Sequence, residues 1–322
     1  MIIVTGAAGF IGSAVVRELN NRGVCDILAV DSLLSDEKWK NLRGLTFTDY
    51  EEKESLIKKL IFDDKALKKA AEGVIHMGAC SSTTEKNASF LIENNYKYTQ
   101  ALAKWCVKNN KKFLYASSAA TYGDGSLGFS DTSPELLGKL RPLNMYAYSK
   151  HLFDLWALRQ GILDRITGVK YFNVYGPNEY HKKEMRSVVH KAFCQIKETG
   201  KLKLFKSYKD EYKNGGQLRD FLYVKDAAAM TLHLYENNMT GIYNAGTGKA
   251  RPFNDLAEAV FNAMDVKPDI EYIEMPEEIK GKYQYFTEAG IKKMNYNGKI
   301  HSLGEGVADY VKNYLAAGEK HL

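Results

Sequence analysis

The chain opens Met1-Ile2-Ile3-Val4-Thr5-Gly6-Ala7-Ala8-Gly9-Phe10-Ile11-Gly12, and the reading of that stretch decides the fold. Ile2-Ile3-Val4 is apolar and β-branched, which suits a strand covered on both faces. Gly6, Gly9 and Gly12 then recur every third residue, where a side chain would hold the backbone away from a ligand. A helix beginning near Ile11 aims its free N–H groups and positive end over those glycines, a place that stabilises a diphosphate. Strand, glycines and helix, followed by an acidic residue, is the order of a dinucleotide site. The acid is Asp31, which ends a second strand, Ile27-Leu28-Ala29-Val30. It falls about 20 residues past the glycines, where a carboxylate meets the adenosine ribose. Lys38 and Lys53 follow, and either can neutralise a 2′-phosphate, so Asp31 alone leaves NAD and NADP both open.

Working outward, a third strand is expected at Leu45-Thr46-Phe47 and a helix over Glu51 to Lys69. A fourth strand, Val74-Ile75-His76-Met77, runs into Gly78-Ala79, small enough for close approach of backbone to cofactor; His76 reads as a packed strand histidine. Asn87 to Asn109 reads as one helix, with Leu91, Tyr98, Leu102 and Trp105 on its buried side. The fifth strand, Phe113-Leu114-Tyr115-Ala116, leads to Ser117 and Ser118, residues 124–142 read as loop, and Val169 to Phe172 is the sixth strand. This alternation predicts an α/β fold, a doubly wound parallel (Rossmann) sheet with its site at the carboxyl ends of the strands. From Asn178 to Gln217 the chain is basic, aromatic and interrupted. A helix over Val188 to Lys197 and a solvated loop over Lys206 to Gly216 are expected there. Arg219 to Asp226 is expected to enter a helix, and Gly241 to Asn244 to be a strand. The division expected is a dinucleotide-binding domain over residues 1–172 and a smaller α/β substrate-binding domain over most of 173–322. Segments near 221–249 and 285–301 are expected to return to the first.

With 322 residues, 45% hydrophobic and 26% charged, the chain can bury a sizeable globular core. The net charge of +6 is dispersed, which suits an anionic small molecule and argues against nucleic acid. Cys25, Cys80, Cys106 and Cys194 have neither metal spacing nor disulfide density, so no metal site and a reducing compartment are expected. No leader pattern and no apolar run of about 20 residues is seen, which predicts a cytoplasmic protein without membrane association.

The chemistry is carried by Ser118, Tyr146 and Lys150. Tyrosine titrates near pH 10 and is a poor base at neutrality, but an ammonium close by stabilises its phenolate. Tyr146 and Lys150 are four residues apart and share a helical face, whereas Tyr148 does not. A lysine there can also hold a nicotinamide ribose, and Ser118 can hydrogen-bond the same substrate oxygen. That is equipment for moving a proton off an alcohol while its hydride passes to a nicotinamide.

The chain resembles the extended short-chain dehydrogenase/reductases that act on sugar nucleotides, and within them the ADP-heptose 6-epimerases. The resemblance rests on the opening through Gly12, on Gly78-Ala79-Cys80-Ser81-Ser82-Thr83-Thr84-Glu85, and on residues 113–123. It continues through residues 171–177, His181-Lys182, Arg219-Asp220-Phe221 and Gly281-Lys282-Tyr283-Gln284. It implies tightly bound NADP, with NAD possible, and inversion at C6″ of an ADP-linked heptose through a transient 6″-ketone, as in lipopolysaccharide inner-core precursor synthesis. A homo-oligomer is also implied. Lys182 falls at the family's second catalytic position. Phe10, Ile11, Asp31, Ser32, Lys38, Lys53, Met77 through Ser81, Asn94, Lys150, Val174 and Lys182 would line the cofactor. Ser81, Asn173, Glu184, Lys191, Phe205, Lys206, Ser207, Arg219 and Tyr283 would meet the sugar nucleotide. Arg219 has a warrant of its own, since a guanidinium suits a diphosphate. Two other functions stay open. One is a UDP-hexose 4-epimerase; the other is a non-catalytic NAD(P)-binding regulator, which the intact Tyr146–Lys150 pair disfavours.

Overall fold

A computed structural model describes residues 1–280 and 283–322. Ile2, Ile3 and Val4 are buried in β1 (Ile2–Thr5), and taking each such side chain out of water is worth about 1.5–3 kcal/mol. The chain continues through α1 (Phe10–Asn21), β2 (Ile27–Asp31), β3 (Asp49–Glu52), α2 (Lys53–Ile61), α3 (Lys65–Ala70) and β4 (Gly73–His76). Next come α4 (Ala88–Leu91), a wide π turn over Ile92–Lys97, α5 (Tyr98–Lys108), β5 (Lys112–Ser118), α6 (Met145–Arg159) and β6 (Thr167–Tyr171). Then follow β7 (Asn173–Tyr175), α7 (Val188–Thr199), β8 (Leu202–Phe205), β9 (Leu218–Tyr223), α8 (Val224–Glu236) and β10 (Gly241–Ala245). β11 (Ala250–Pro252), α9 (Phe253–Met264), β12 (Ile270–Ile273), α10 (Glu277–Lys280) and α11 (Leu303–Tyr310) complete the order.

Seven strands, all paired in parallel, make the main sheet in the order β10-β6-β5-β4-β1-β2-β3. Strand parity divides the core. Ile2, Val4 and Ile75 pack with α1 and α8 on one face, while Ile3, Val30 and Val74 pack with α2, α5 and α6 on the other. From β1 the chain winds outward to β3, then crosses back to β4 and winds the other way. The switch lies between β1 and β4, and a crevice opens beyond their carboxyl ends. β7, β9 and β11 form a separate three-stranded sheet, and β8 pairs with β12.

Several elements differ from the sequence reading. The third strand is not Leu45-Thr46-Phe47 but the polar edge strand β3. Asn20, at the end of α1, takes up both backbone groups of Thr46 (2.8 Å each), so the ladder with β2 starts later, at Asp49. The helix expected over 51–69 is broken. Asp63 takes a left-handed φ of 51°, and Asp64 caps α3 by accepting from the Leu67 N–H at 2.8 Å. The loop at 124–142 contains a 3-10 turn over Pro134–Lys139, stabilised by proline at its start. Arg219 to Tyr223 is strand before the helix begins; it pairs with β7, so the return to the main sheet starts at α8 and ends in β10. His76 is packed as read, its ring between the hydroxyls of Thr5 (2.6 Å) and Thr99 (2.9 Å).

Candidate active site

Gly6 has a left-handed φ of 68°, and a Cβ there would lie 2.6 Å from the Gly78 nitrogen. A Cβ on Gly12 would come within 2.0 Å of the Gly6 carbonyl oxygen. Gly9 is the N-cap of α1 and brings no capping side chain, so the helix end is left for a ligand. Asp31 holds the turn from below. One carboxylate oxygen accepts from the Ala8 N–H at 2.8 Å, the other from the Ser32 N–H and the Lys38 ammonium, both at 2.7 Å. These observations fit a dinucleotide diphosphate on the glycines, with Lys38 beside the ribose carboxylate. Lys53 donates to the Asn94 side chain at 2.8 Å.

Asn144 caps α6, its side chain accepting from the Ala147 N–H at 2.9 Å, which sets Tyr146 in the first turn and Lys150 one turn on. Tyr148 is exposed. Burial pushes the Tyr146 phenol above its usual range, and the Ser118 hydroxyl works against that shift. The Lys150 ammonium, one turn along the helix, donates to the Ala116 carbonyl at 2.8 Å. Burial lowers Lys150 itself to about 8, with the Asp154 charge opposing. Asp154 is fully buried. It accepts from Tyr115 and Ser117 hydroxyls, each at 2.9 Å, and pairs with Lys170 at 2.8 Å, so α6 is locked to the strand that ends in Ser118.

Lys182 lies in a short 3-10 segment, Tyr180–Met185, with its ammonium 5.1 Å over the Phe10 ring. Burial lowers its pKa, and Glu179 opposes. Asn95, in the π turn, has no counterpart in the sequence reading. Its amide accepts from the Cys80 N–H and donates to the Cys80 carbonyl, both at 2.9 Å, and reaches the Ser149 hydroxyl at 3.0 Å. Nothing in an isolated Glu-Asn-Asn-Tyr signals a π turn, which takes shape only against the Cys80 loop and α6.

One cleft of about 630 Å³ gathers most of the expected residues. Its walls include Gly6, Gly9 to Gly12, Asp31, Lys38, Met77 to Ser81, Ser118, Tyr146, Lys150, Asn173, Val174 and Lys182. Asp36, His181, Met185 and Thr287 also line it. Ser32, Lys53 and Asn94 lie outside these walls, as do Glu184, Lys191, Phe205, Lys206, Ser207, Arg219 and Tyr283. Glu184 is almost fully exposed, and Lys191 donates to its carbonyl. Lys206 pairs with Glu274 at 2.6 Å, and the Ser207 hydroxyl donates to Lys209 within its own loop. Arg219, Phe205 and Tyr283 do come together. The guanidinium sits 5.2 Å over Tyr283 and 5.8 Å over Phe253, and the Phe205 ring meets Tyr283 edge-on at 6.4 Å. Gly281 and Lys282 of the same motif lie outside the described residues. Among the described residues no group of three His, Cys, Asp or Glu is placed to hold a metal, and no helix is long and apolar enough to cross a membrane.

A glycine cradle at a helix end, a strand-end serine and a Tyr-Lys pair on one parallel sheet are the equipment of a nicotinamide-dependent enzyme. The chain belongs to the NAD dependent epimerase/dehydratase family, whose pattern matches residues 2–246. Over its full length, and that of the relative, it is 52% identical to the ADP-L-glycero-D-manno-heptose-6-epimerase of Nitratidesulfovibrio vulgaris. It is 51% identical to that of Fusobacterium nucleatum, again with both chains fully covered. The crystal structure of the Helicobacter pylori enzyme of that name is 26% identical, with a TM-score of 0.77 over 97% of this chain and 95% of that one. A UDP-N-acetylglucosamine 4-epimerase from Methanobrevibacter ruminantium, 23% identical, shares the fold at a TM-score of 0.79 over 98% of each chain.

Proposed function

We propose that this enzyme inverts C6″ of an ADP-linked heptose, converting ADP-D-glycero-D-manno-heptose to its L-glycero form for lipopolysaccharide inner-core precursor synthesis. The full-length relatives support the substrate. The observation that carries the inversion is a second amine, that of half-buried Lys182, on the walls of the cleft that holds Tyr146 and Lys150. A plain dehydrogenase needs one acid/base group. An inversion presents the substrate oxygen in two places and benefits from two.

Bound nicotinamide supplies the hydride acceptor, and in its reduced form the donor for the return. Tyr146 takes the proton of the C6″ hydroxyl, and Ser118 hydrogen-bonds the same oxygen. Lys150 keeps a positive charge under the phenolate. After the ketone has turned, Lys182 returns a proton to the oxygen in its second position. Burial suits Lys182 to that task, since a lysine at its ordinary pKa near 10.4 gives up its proton poorly at neutrality. Lys38, ion-paired to Asp31, is the residue we assign to a 2′-phosphate if the bound dinucleotide is NADP. Arg219, beside the cleft and clasped between aromatic rings, is the cation we assign to the ADP diphosphate.

The four thiols, none in a disulfide, suit a reducing cytoplasm. Exposed Leu34, Trp39 and Phe90 leave apolar surface for a second copy of the chain. The test is turnover of ADP-D-glycero-D-manno-heptose followed by NMR at C6″, beside UDP-glucose. Inversion of the heptose supports the reading; inversion of UDP-glucose alone overturns it.

A further inference from the structure

Lys182 reaches the cleft from a segment that no strand of the main sheet holds, so something else must fix its place. Four hydrogen bonds and one ring contact converge on the residues just before it. The Asn178 carbonyl accepts from the Asn41 side chain at 3.0 Å, and the Asn178 amide donates to the Ser13 hydroxyl at 2.9 Å. The Leu322 N–H donates to the Asn178 side-chain oxygen at 3.0 Å. The Tyr180 hydroxyl donates to the Lys320 carbonyl at 2.7 Å, and the Tyr180 ring meets the His321 ring edge-on at 5.1 Å.

Asn41 joins these contacts to the glycine turn. It is buried to within 1%. One hydrogen of its NH₂ goes to the Asn178 carbonyl and the other to the Ala8 carbonyl at 2.9 Å. Both of those partners are acceptors, so the amide oxygen must face His321, whose Nδ1 donates to it at 2.7 Å. That bond requires a proton on Nδ1; burial and the charges of Arg43 and Lys40 lower the His321 pKa, and Glu319 opposes. Asn41 thus spends both donors and its oxygen on three separate segments. The Ala8 peptide, meanwhile, is held at its N–H by Asp31 and at its carbonyl by Asn41.

We infer that Asn41, oriented by His321, is a positioning residue that sets the Lys182 ammonium at a fixed reach from the dinucleotide turn. The inference rests on the acid/base reading of Lys182. Loss of either side chain leaves residues 178–182 tied to the turn by fewer bonds, and an acid/base group displaced by about 1 Å can lose about 100-fold in rate.

The experiment is a double-mutant cycle on the dinucleotide-loaded enzyme, measuring epimerisation turnover for Asn41→Ala, His321→Ala and Lys182→Met, singly and in pairs. Asn41→Ala is expected to slow turnover about 10–100-fold with little change in KM, and His321→Ala by less. Neither is expected to slow the Lys182→Met enzyme further, because the group they position is gone. Melting curves identify any variant that fails to fold, and His321→Ala, at a half-exposed site, then carries the cycle. Lys182→Met slow, with the pairs multiplying the single losses, overturns the positioning role and leaves the reading of Lys182 standing. Lys182→Met at the wild-type rate overturns both.

Discussion

At Lys150 two effects oppose each other. Burial drives the ammonium toward neutrality at about 8, while the Asp154 carboxylate one turn along α6 holds the proton on. Above that pH the lysine is neutral and no longer supports the Tyr146 phenolate, so the pH–rate profile is expected to descend above about pH 8. Asp154→Asn removes the charge that raises Lys150, and the descending limb should move to lower pH. That single change also strands Lys170, a cost of about 3–5 kcal/mol, so the comparison is best made with Lys170→Met alongside it. Tyr146→Phe is expected to slow epimerisation by about 100–10,000-fold, and Lys182→Met likewise, read as turnover at saturating substrate. Tyr146 and Lys150 stood out as candidates because a phenol acting as a base needs a cation one helical turn away, whereas Lys182 was indicated only by the family resemblance of His181-Lys182. What the lysine actually touches was not legible. The Ala116 carbonyl that accepts its hydrogen bond belongs to a strand over thirty residues earlier in the chain.

The glycine turn was the most legible element, because its constraint is local. Gly6 must take a left-handed φ, and Gly12 must let its backbone pass the Gly6 carbonyl. Gly12→Ala is expected to weaken dinucleotide binding about 10–100-fold, the size set by about 1–3 kcal/mol of backbone strain, measured by titration of the emptied protein. Elements whose limits depend on distant partners were not legible. Leu45-Thr46-Phe47 has strand composition, yet Asn20 occupies its backbone and β3 forms from Asp-Tyr-Glu-Glu instead. Helical periodicity ran through Phe62–Asp64 without revealing that Asp64 would start a new helix. The scattered contributors around Arg219 come from β8, β9 and the stretch after α10, three elements with no sequence signal for meeting.

For the whole molecule, two buried histidines and a half-buried one make acid the weak side. Burial lowers His76 well below its usual range and takes His151 and His181 to about 4. The unfolded chain takes up these protons near pH 6.5, whereas folded His151 and His181 do so only near 4 and His76 is held well below its usual range, so stability is expected to be lost as pH falls through that window. The urea midpoint should drop between pH 6.5 and 4, and His151→Gln should flatten the slope. The doubly wound plan was read correctly from strand and helix alternation, but the sheet's last strand is its latest. β6 ends at Tyr171, and its free edge is covered only by β10, which begins at Gly241. During synthesis roughly 70 residues must therefore emerge before that edge is paired, several seconds at about 5–20 residues per second. Over those seconds the nascent sheet presents an open row of backbone donors and acceptors to its neighbours on the polysome. Overproduction of this enzyme is then limited by what guards β6 before β10 arrives, so a holdase chaperone should raise its soluble yield.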